Sequence, residues 1–401
     1  VYLIVLSCTA IVGILGLASL YAVRVQGRTS QIYADAEVAR DCAQSAAALG
    51  MLMIAQDPNW RTDHGNGLWV TNKPLGRGTL SVQVVDPEDG SLSDDPAESV
   101  ALTGIGACGV CSHKAQAVLV ADVRPLAGLS ACLCAGGSAT VLAGKQITLV
   151  GGSLSTNGQL NNDGWIDGDA KAATVNHAGT VTGTLTTPAP ATPLPDSSVV
   201  SRYMAKATAI PYYSLIELKV LGPGRNPWGN ANSEGVYYLN TSDRDITIRN
   251  SRIYGTLVVD CGNHTLTLDT AVLMQPYRTD YPVLIVRGNL QVKIDSCSTV
   301  LDEWTLYKNF NPSGAPYEGY WDSDYSDTYP NEIRGLVHVI GNVQLKQTSR
   351  INGALLCTGT VACTDASRII HDSGLVSNPP QGYTYVAGMK LSPSSFKQVV
   401  N

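Results

Sequence analysis

From Val1 to Val23 the sequence VYLIVLSCTAIVGILGLASLYAV contains no charged residue. About 20 consecutive apolar residues let an α-helix cross a bilayer, so this stretch commits the chain to lipid or to the interior of an assembly. It differs from a secretory signal, which has a basic flank, a shorter apolar core and a small-residue cleavage site. It reads instead as the mature end of a protein that has shed a short basic leader and kept its apolar helix.

Helical signals run on past the apolar stretch. There is no Pro between Arg24 and Asp57, and Ile32, Ala36, Ala39, Ala43, Ala46 and Ala47 recur at helical spacing. Asp57-Pro58 ends the pattern, because a residue before Pro is pushed out of the α region. One helix over residues 1–57 is expected, roughly 85 Å long at 1.5 Å per residue. Only its first third needs a membrane; the second half carries a stripe of small residues that must pack on something.

The remainder reads as β-rich, so the fold class is α+β. Residues 58–127 look like a small antiparallel sheet: Gly78–Val85 alternates, and Pro87-Glu88-Asp89-Gly90 is a turn in which Pro presets φ and Gly takes a positive φ. From 128 to 380 short apolar runs recur between Gly, Asn and Asp. VLIVRGNLQVKI (283–294) and LVHVIGNVQLKQ (336–347) share a rhythm of alternation, Gly-Asn, alternation, and ALLCTGTVACT (354–364) repeats it. Repeats that cannot close their own cores suggest a parallel β-helix, or solenoid; a β-sandwich with irregular loops is the alternative. The spacing is uneven because of an insertion over 303–332. A short helix is expected over Ser197–Ala209, capped by Ser197 or Ser198, closing one end of the solenoid or crossing a face. Residues 381–401 read as a C-terminal tail.

Several residue sets carry chemistry. The net charge of −6 and the lack of a Lys/Arg cluster exclude nucleic acid as a partner. Of ten Cys, Cys8 sits in the apolar stretch; Cys108, Cys111, Cys132, Cys134, Cys261, Cys297, Cys357 and Cys363 are candidates for disulfides, with Cys261–Cys297 and Cys357–Cys363 as cross-coil pairs. Buried thiols are the alternative, and Cys108-Gly109-Val110-Cys111 with Cys132 and Cys134 also has a zinc-like spacing. No other cofactor is expected except Ca²⁺, for which Asp163, Asp167 and Asp169 form one oxygen-rich set and Asp322, Asp324 and Asp327, with Glu332, another; solvated turns are the alternative. Asn240 and Asn263 open N-glycosylation triplets. Trp304, Tyr307, Phe310, Tyr317, Tyr320, Trp321, Tyr325 and Tyr329 make the insertion the densest aromatic segment, suited to subunit contact, glycan binding or packing on its own solenoid. Asp260, Asp269, Asp295 and Arg287 could be assembled into a polysaccharide-cleaving site, but no nucleophile signature accompanies them, and no enzymatic role is expected.

A long N-terminal helix, apolar for its first third and amphipathic after, followed by a small antiparallel sheet, resembles the type IV pilins and pseudopilins over about residues 1–125. The resemblance implies removal of a leader by a prepilin peptidase, an inner-membrane stage, and transfer by an assembly machinery into an extracellular homopolymer at the cell surface of a bacterium. It implies a filament core built from Val1, Val5, Ile11, Gly13, Ile14, Gly16, Leu17 and Leu20. Most members carry Glu where this chain has Val5, a carboxylate thought to neutralise a neighbour's amino terminus; here Ser7, Thr9 or backbone carbonyls would have to contribute. The large minor pseudopilins at the tips of secretion pseudopili also lack that Glu. Shaft subunit, tip subunit and membrane-anchored surface adhesin or enzyme are therefore the readings to separate.

Overall fold

The computed structural model describes residues 1–177 and 179–400, and in it the chain forms two compact units. One comprises Val1–Arg124 with the chain from Tyr385 onward, and the other is Pro125–Thr384. Ala178, and Asn401 at the end of the expected tail, lie outside the described residues.

In the first unit, helix α1 spans Tyr2–Gln56 without interruption. Asp57 ends it in an extended conformation ahead of Pro58, as the pre-proline restriction requires. Residues 1–34 are exposed throughout. Farther on, Ala39, Cys42, Ala43, Ala46, Ala47, Gly50 and Ile54 are buried, in steps of three and four that define one stripe. The stripe lies on an antiparallel sheet of β1 (Gly67–Leu75), β2 (Gly78–Val85), β3 (Val100–Cys108) and β4 (Cys111–Pro125), paired in chain order. Small residues on both surfaces let the backbones approach. A Cβ on Gly104 would sit 2.2 Å from the Ala43 carbonyl oxygen, and one on Gly106 would sit 2.0 Å from that of Ala39, so only glycine fits beneath this alanine ridge. Leu80, Val82, Val84, Leu102 and Trp60 fill the space at its flanks.

Residues 381–401, read from sequence as a tail, hold two strands of this same sheet. Thr384–Leu391 neighbours β4, and Lys397–Val400 pairs antiparallel with it, Lys397 opposite Gln116. They cover an edge that would otherwise present unpaired backbone groups.

The second unit is a parallel β-helix with three strand columns, so the β-sandwich alternative fails. On the first face Tyr237, Leu257, Leu284, Val337, Leu355, Leu133, Leu154 and Ala170 stand in register on successive coils. The second face stacks Ile216, Ile248, Leu268, Val292, Leu345, Cys363 and Val141. The third stacks Leu221, Ile253, Met274, Ile333, Ile351 and Ile369. These side chains point inward and form one continuous apolar core. Parallel pairing buries each strand against the coils above and below, which is why no coil closes a core alone.

Coil order along the axis is not chain order. The chain enters the stack at Leu133, beside Leu355, and runs to one end at Thr186. It then crosses to the opposite end near Thr208 and winds back until Ile369 meets Leu149. The crossing segment carries the helix Ser198–Met204, whose Val199, Val200 and Tyr203 pack outside the first face against Val258, Ile285, Leu336 and Leu356. The expected short helix is thus present and crosses a face, but it is shorter than expected, because Thr208–Ala209 is already a strand paired with Tyr237–Tyr238. Its start is held by Asp196, whose carboxylate accepts the Ser198 N–H at 2.8 Å, rather than by a serine cap.

The Gly-Asn rhythm of the sequence is one corner of this helix. A Cβ on Gly341 would lie 2.0 Å from the Gly288 carbonyl oxygen, and one on Gly359 would lie 2.5 Å from that of Gly341. Beside this column the Asn342 backbone and side-chain N–H groups both reach Asn289 Oδ1 at 3.1 Å, and Thr360 donates to Asn342 Oδ1 at 2.9 Å. The long interval between repeats is an excursion within a single coil, leaving the second face after Ile294 and rejoining on the third at Glu332.

Candidate functional site

The residues expected to build a filament core lie on the bare part of α1. Val5, Ile11, Ile14, Leu17 and Leu20 are 56–70% exposed and Val1 fully so, and around Gly13 and Gly16 there is no atom within 4 Å of where a Cβ would stand. This is the one helix among the described residues long and apolar enough to cross a membrane. The Ser and Thr hydroxyls of its uncharged stretch are satisfied within the helix: Ser7 donates to the Leu3 carbonyl at 2.7 Å, Thr9 to Val5 at 3.0 Å and Ser19 to Leu15 at 2.8 Å. Between Val1 and Val23 the surface offered is therefore apolar with its Ser and Thr hydroxyls paired, as a nonaqueous setting favours, while the Val1 amino group has no acidic residue beside it in the first turn. Ser7 and Thr9, considered as partners for a neighbour's amino terminus, already direct their hydroxyl protons to their own backbone.

All ten cysteines are free thiols. Cys108 and Cys111 face each other across the β3–β4 turn, with Cys108 Sγ 3.6 Å from Asp35 Oδ1 and Cys111 Sγ 3.6 Å from the Ile32 carbonyl. Cys132 faces the inside of the β-helix and Cys134 its outside. Cys261 points into the coil while Cys297 is exposed beyond Ile294. Cys357 and Cys363 belong to different faces of one coil, and their Sγ atoms contact the carbonyls of Gly341 and Asp365. Burial holds Cys357 up to about 12 and Cys363 up to about 11, so both are protonated and unreactive at neutral pH.

The carboxylates considered for catalysis do not converge. Asp260 pairs with Arg287 on the first face, Asp269 with Lys293 at 3.5 Å on the second, and Asp295 accepts the Thr348 hydroxyl and the N–H groups of Cys297 and Ser298. Asp269 belongs to a surface stripe of alternating charge across stacked coils, Glu217, Arg249, Asp269 and Lys293, in which Arg249 Nε lies 2.9 Å from Glu217 Oε1. That stripe was hidden in sequence because its members come from four separate segments. Asn240 and Asn263 are both exposed.

Of the two oxygen-rich sets, Asp163, Asp167 and Asp169 disperse, contacting His177 at 2.8 Å, the Thr182 hydroxyl at 2.9 Å and the Thr184 N–H at 2.7 Å. In the second set Asp322 and Asp327 come together with Glu303, while Asp324 turns to Ser326 and Glu332 pairs with Arg334 and Arg350. A third acidic group, Asp86, Asp89 and Glu98, forms in the loop after β2. There burial, reinforced by Asp94 and Asp86, pushes Glu98 up to about 7.

The aromatic insertion divides in two. Phe310 and Tyr329 are buried with Leu301 and Ala315 against Val220, Ala271 and Leu273 of the coil, and Tyr317 packs beside them. Trp304, Tyr307, Tyr320, Trp321 and Tyr325 face outward, 49–80% exposed. What fastens the insertion is Arg252, a fully buried residue that sequence reading passed over. It reaches out from the third face and donates to the carbonyls of Phe310 and Ala315, both at 2.7 Å, and of Pro316 at 2.6 Å, among the rings of Tyr254, Tyr317 and Tyr329. Desolvation lowers Arg252 to about 10, so it stays charged at neutral pH.

No protein-family model matches the sequence, and no curated protein does. Among solved structures, the competence-associated pilin ComZ from Thermus thermophilus aligns at 11% identity and TM-score 0.28, over 92% of this chain and 98% of that one. A glycosylated ice-binding protein, LeIBP, from an Arctic yeast aligns at 11% identity and TM-score 0.29, over 62% of this chain and 94% of that one. TM-scores this low do not establish a common fold.

Proposed function

We propose that this chain is a structural subunit of a type IV pilus-like extracellular filament, held in a membrane by Val1–Val23 before assembly and packed through the same helix afterwards. The observation that carries the reading is the division of α1. A simple anchor needs about 20 residues, yet α1 continues as one unbroken helix through exposed residues 24–34 before its alanine stripe docks on the sheet. A stiff apolar rod rooted in a folded unit suits lateral packing into a helical bundle, where a non-closing contact repeats into a fibre. A prepilin peptidase and an assembly machinery are the partners this reading requires. Val5, in place of an acidic residue, favours a second reading as a minor or tip subunit.

The test is assembly after detergent removal. The full chain should form fibres visible by electron microscopy, and a chain lacking Val1–Val23 should remain a folded monomer; fibres formed by the truncated protein would refute a helix-packed core. Counting copies per native fibre separates shaft from tip, since a tip subunit is present once.

A further inference from the structure

The charged residues of α1 are Arg24, Arg28, Asp35, Glu37, Arg40 and Asp41. Asp35 is held by Arg77 at 3.1 Å, and Glu37 pairs with Arg40 three residues further along the helix. No ion pair among the described residues includes Arg24, Arg28 or Asp41. Arg24, Arg28, Glu37 and Asp41 are all exposed. The two bases stand one turn apart, as do the two acids, and each acid follows one base by 13 residues.

Each charged pair continues a row of neutral residues with the same spacing. Before the bases, in steps of four and three, come Leu17 and Tyr21, 70% and 72% exposed. Before the acids, in the same steps, come Ser30 and Ala34, also exposed. One row therefore runs large, large, basic, basic, and the other small, small, acidic, acidic. At 3.6 residues per turn the two rows lie about 140° apart round the axis. The acidic row faces away from the buried stripe of Ala39, Ala43 and Ala46, so the sheet that docks on that stripe leaves it open.

The geometry points to a second copy of this chain on the acidic row, lying parallel and displaced by 13 residues, about 20 Å along the axis. In that register Leu17 of the second copy sits on Ser30, Tyr21 on Ala34, Arg24 on Glu37 and Arg28 on Asp41. The inference rests on the filament reading and adds to it the register in which the helices pack. Large side chains enter the space that small ones leave, which is how the ridges of one helix fill the grooves of another. Opposite charges meet twice, whereas a slip of one turn in either direction keeps only one of the two pairs. Surface ion pairs add little strength; their part here is to select the register, as charged flanks do between paired helices, while the apolar stretch supplies adhesion. Because the two rows lie on different sides of one helix, each copy offers its acidic row to one neighbour and its basic row to another. Such a contact repeats without closing.

The test uses the full chain, assembled by removing detergent, with the parent run first. Arg24→Glu with Arg28→Glu should raise the critical concentration at least about 10-fold, and so should Glu37→Arg with Asp41→Arg, because like charges then face each other. Joining all four reversals restores opposite pairing and should bring the critical concentration back to within about threefold of the parent, a rescue that two unrelated losses would not give. Each variant should melt in detergent like the parent, since these side chains are exposed. Leu17→Cys with Ser30→Cys should give, on oxidation of the fibres, a ladder of covalent multimers absent from either single variant, because a disulfide needs Cα atoms about 4.4–6.8 Å apart. Leu17→Cys with Ser45→Cys, about 22 Å further along the helix, should give none. If parent fibres form but the four reversals together fail to assemble, or the ladder appears with Ser45→Cys and not with Ser30→Cys, the register is overturned and the filament reading stands. A parent chain that forms no fibres overturns both.

Discussion

Gly16→Asp isolates the assembly surface from the rest of the molecule. Nothing lies within 4 Å of where its Cβ would stand, so the subunit itself should fold as before. Within a packed bundle the new carboxylate is buried. Between Val1 and Val23 fourteen large apolar side chains are exposed. If assembly buries half of them, at about 1.5–3 kcal/mol each, the gain is roughly 10–20 kcal/mol. Association costs an estimated 4–15 kcal/mol, the same order as that gain, so assembly is sensitive to any added burial penalty. A carboxyl in such a setting must take up a proton, and buried acids reach pKa values of about 8–9. Holding it neutral at pH 7 means a shift of at least about 3 units, or roughly 4 kcal/mol per subunit, equivalent to a rise of about 10³-fold in the critical concentration. Sedimentation of fibres against total protein reads this directly. Acid should partly restore assembly of the variant, because the carboxyl then enters already protonated, and Gln26→Asp, outside the uncharged stretch, should assemble like the parent. Gly16→Asp fibres at the parental critical concentration would sink the argument that this face is buried in a polymer.

Three further outcomes test the fold. Gly106→Val forces a side chain into the 2.0 Å gap to the Ala39 carbonyl; overpacking should cost about 1–3 kcal/mol or more and lower the melting temperature of the first unit. Arg252→Ala strands three carbonyls of the insertion, costing about 3 kcal/mol or more, and limited proteolysis should cut residues 303–332 while the coils stay protected. The two units should respond to pH with opposite signs. His338, buried with Nδ1 at 3.0 Å from the Tyr383 hydroxyl, is lowered by desolvation to about 4; the unfolded chain binds the extra proton, so stability of the second unit is present above about pH 6.5 and falls by roughly 3 kcal/mol as pH drops toward 4. Glu98, raised to about 7, binds its proton in the folded state, so stability of the first unit should fall as pH rises from about 4.5 to 7. Thermal scans across that range, repeated with His338→Phe and Glu98→Gln, check both slopes.

Legibility followed the range of the interaction. Helix α1 could be read because its signals are local: an uncharged run, an alanine stripe at helical spacing, and Asp57-Pro58 to stop it. The Gly-Asn corners could be read because stacking imposes the same residues on each coil. Pairing of Leu355 with Leu133 left no trace, since an inward leucine on a parallel strand looks the same whichever coil lies beside it. The C-terminal strands escaped because what makes them strands is the open edge of β4, supplied from elsewhere. Asp322 and Asp327 stood out as a short acidic run, whereas Glu303 and Asn309 resemble any surface residue until the fold brings them together. The cysteines suggested covalent cross-links by their number, but the coil places Cys132, Cys261, Cys357 and Cys363 as apolar filling of its interior.

The permuted order of the coils has a topological cause. The β-helix is an insertion between β4 and the strands from Thr384 onward, which belong to one sheet. An inserted unit is tolerated when its two ends lie close together. A solenoid wound in simple chain order has its ends at opposite poles and cannot meet that condition. Here the first coil, at Leu133, stacks on the last, at Leu355, and the Leu126 N–H donates to the Tyr383 carbonyl at 3.0 Å, so entry and exit strands adjoin. The crossing segment with its helix Ser198–Met204 is what this arrangement requires, because the chain must travel the length of the stack once without winding. Its apolar side, Val199, Val200 and Tyr203, gives the outer surface of the first face the burial that an exposed row of Val258, Ile285 and Leu356 would otherwise lack. The crossing is therefore part of the core of the second unit, and the permuted order of the coils follows from fitting an open-ended fold between two neighbouring strands.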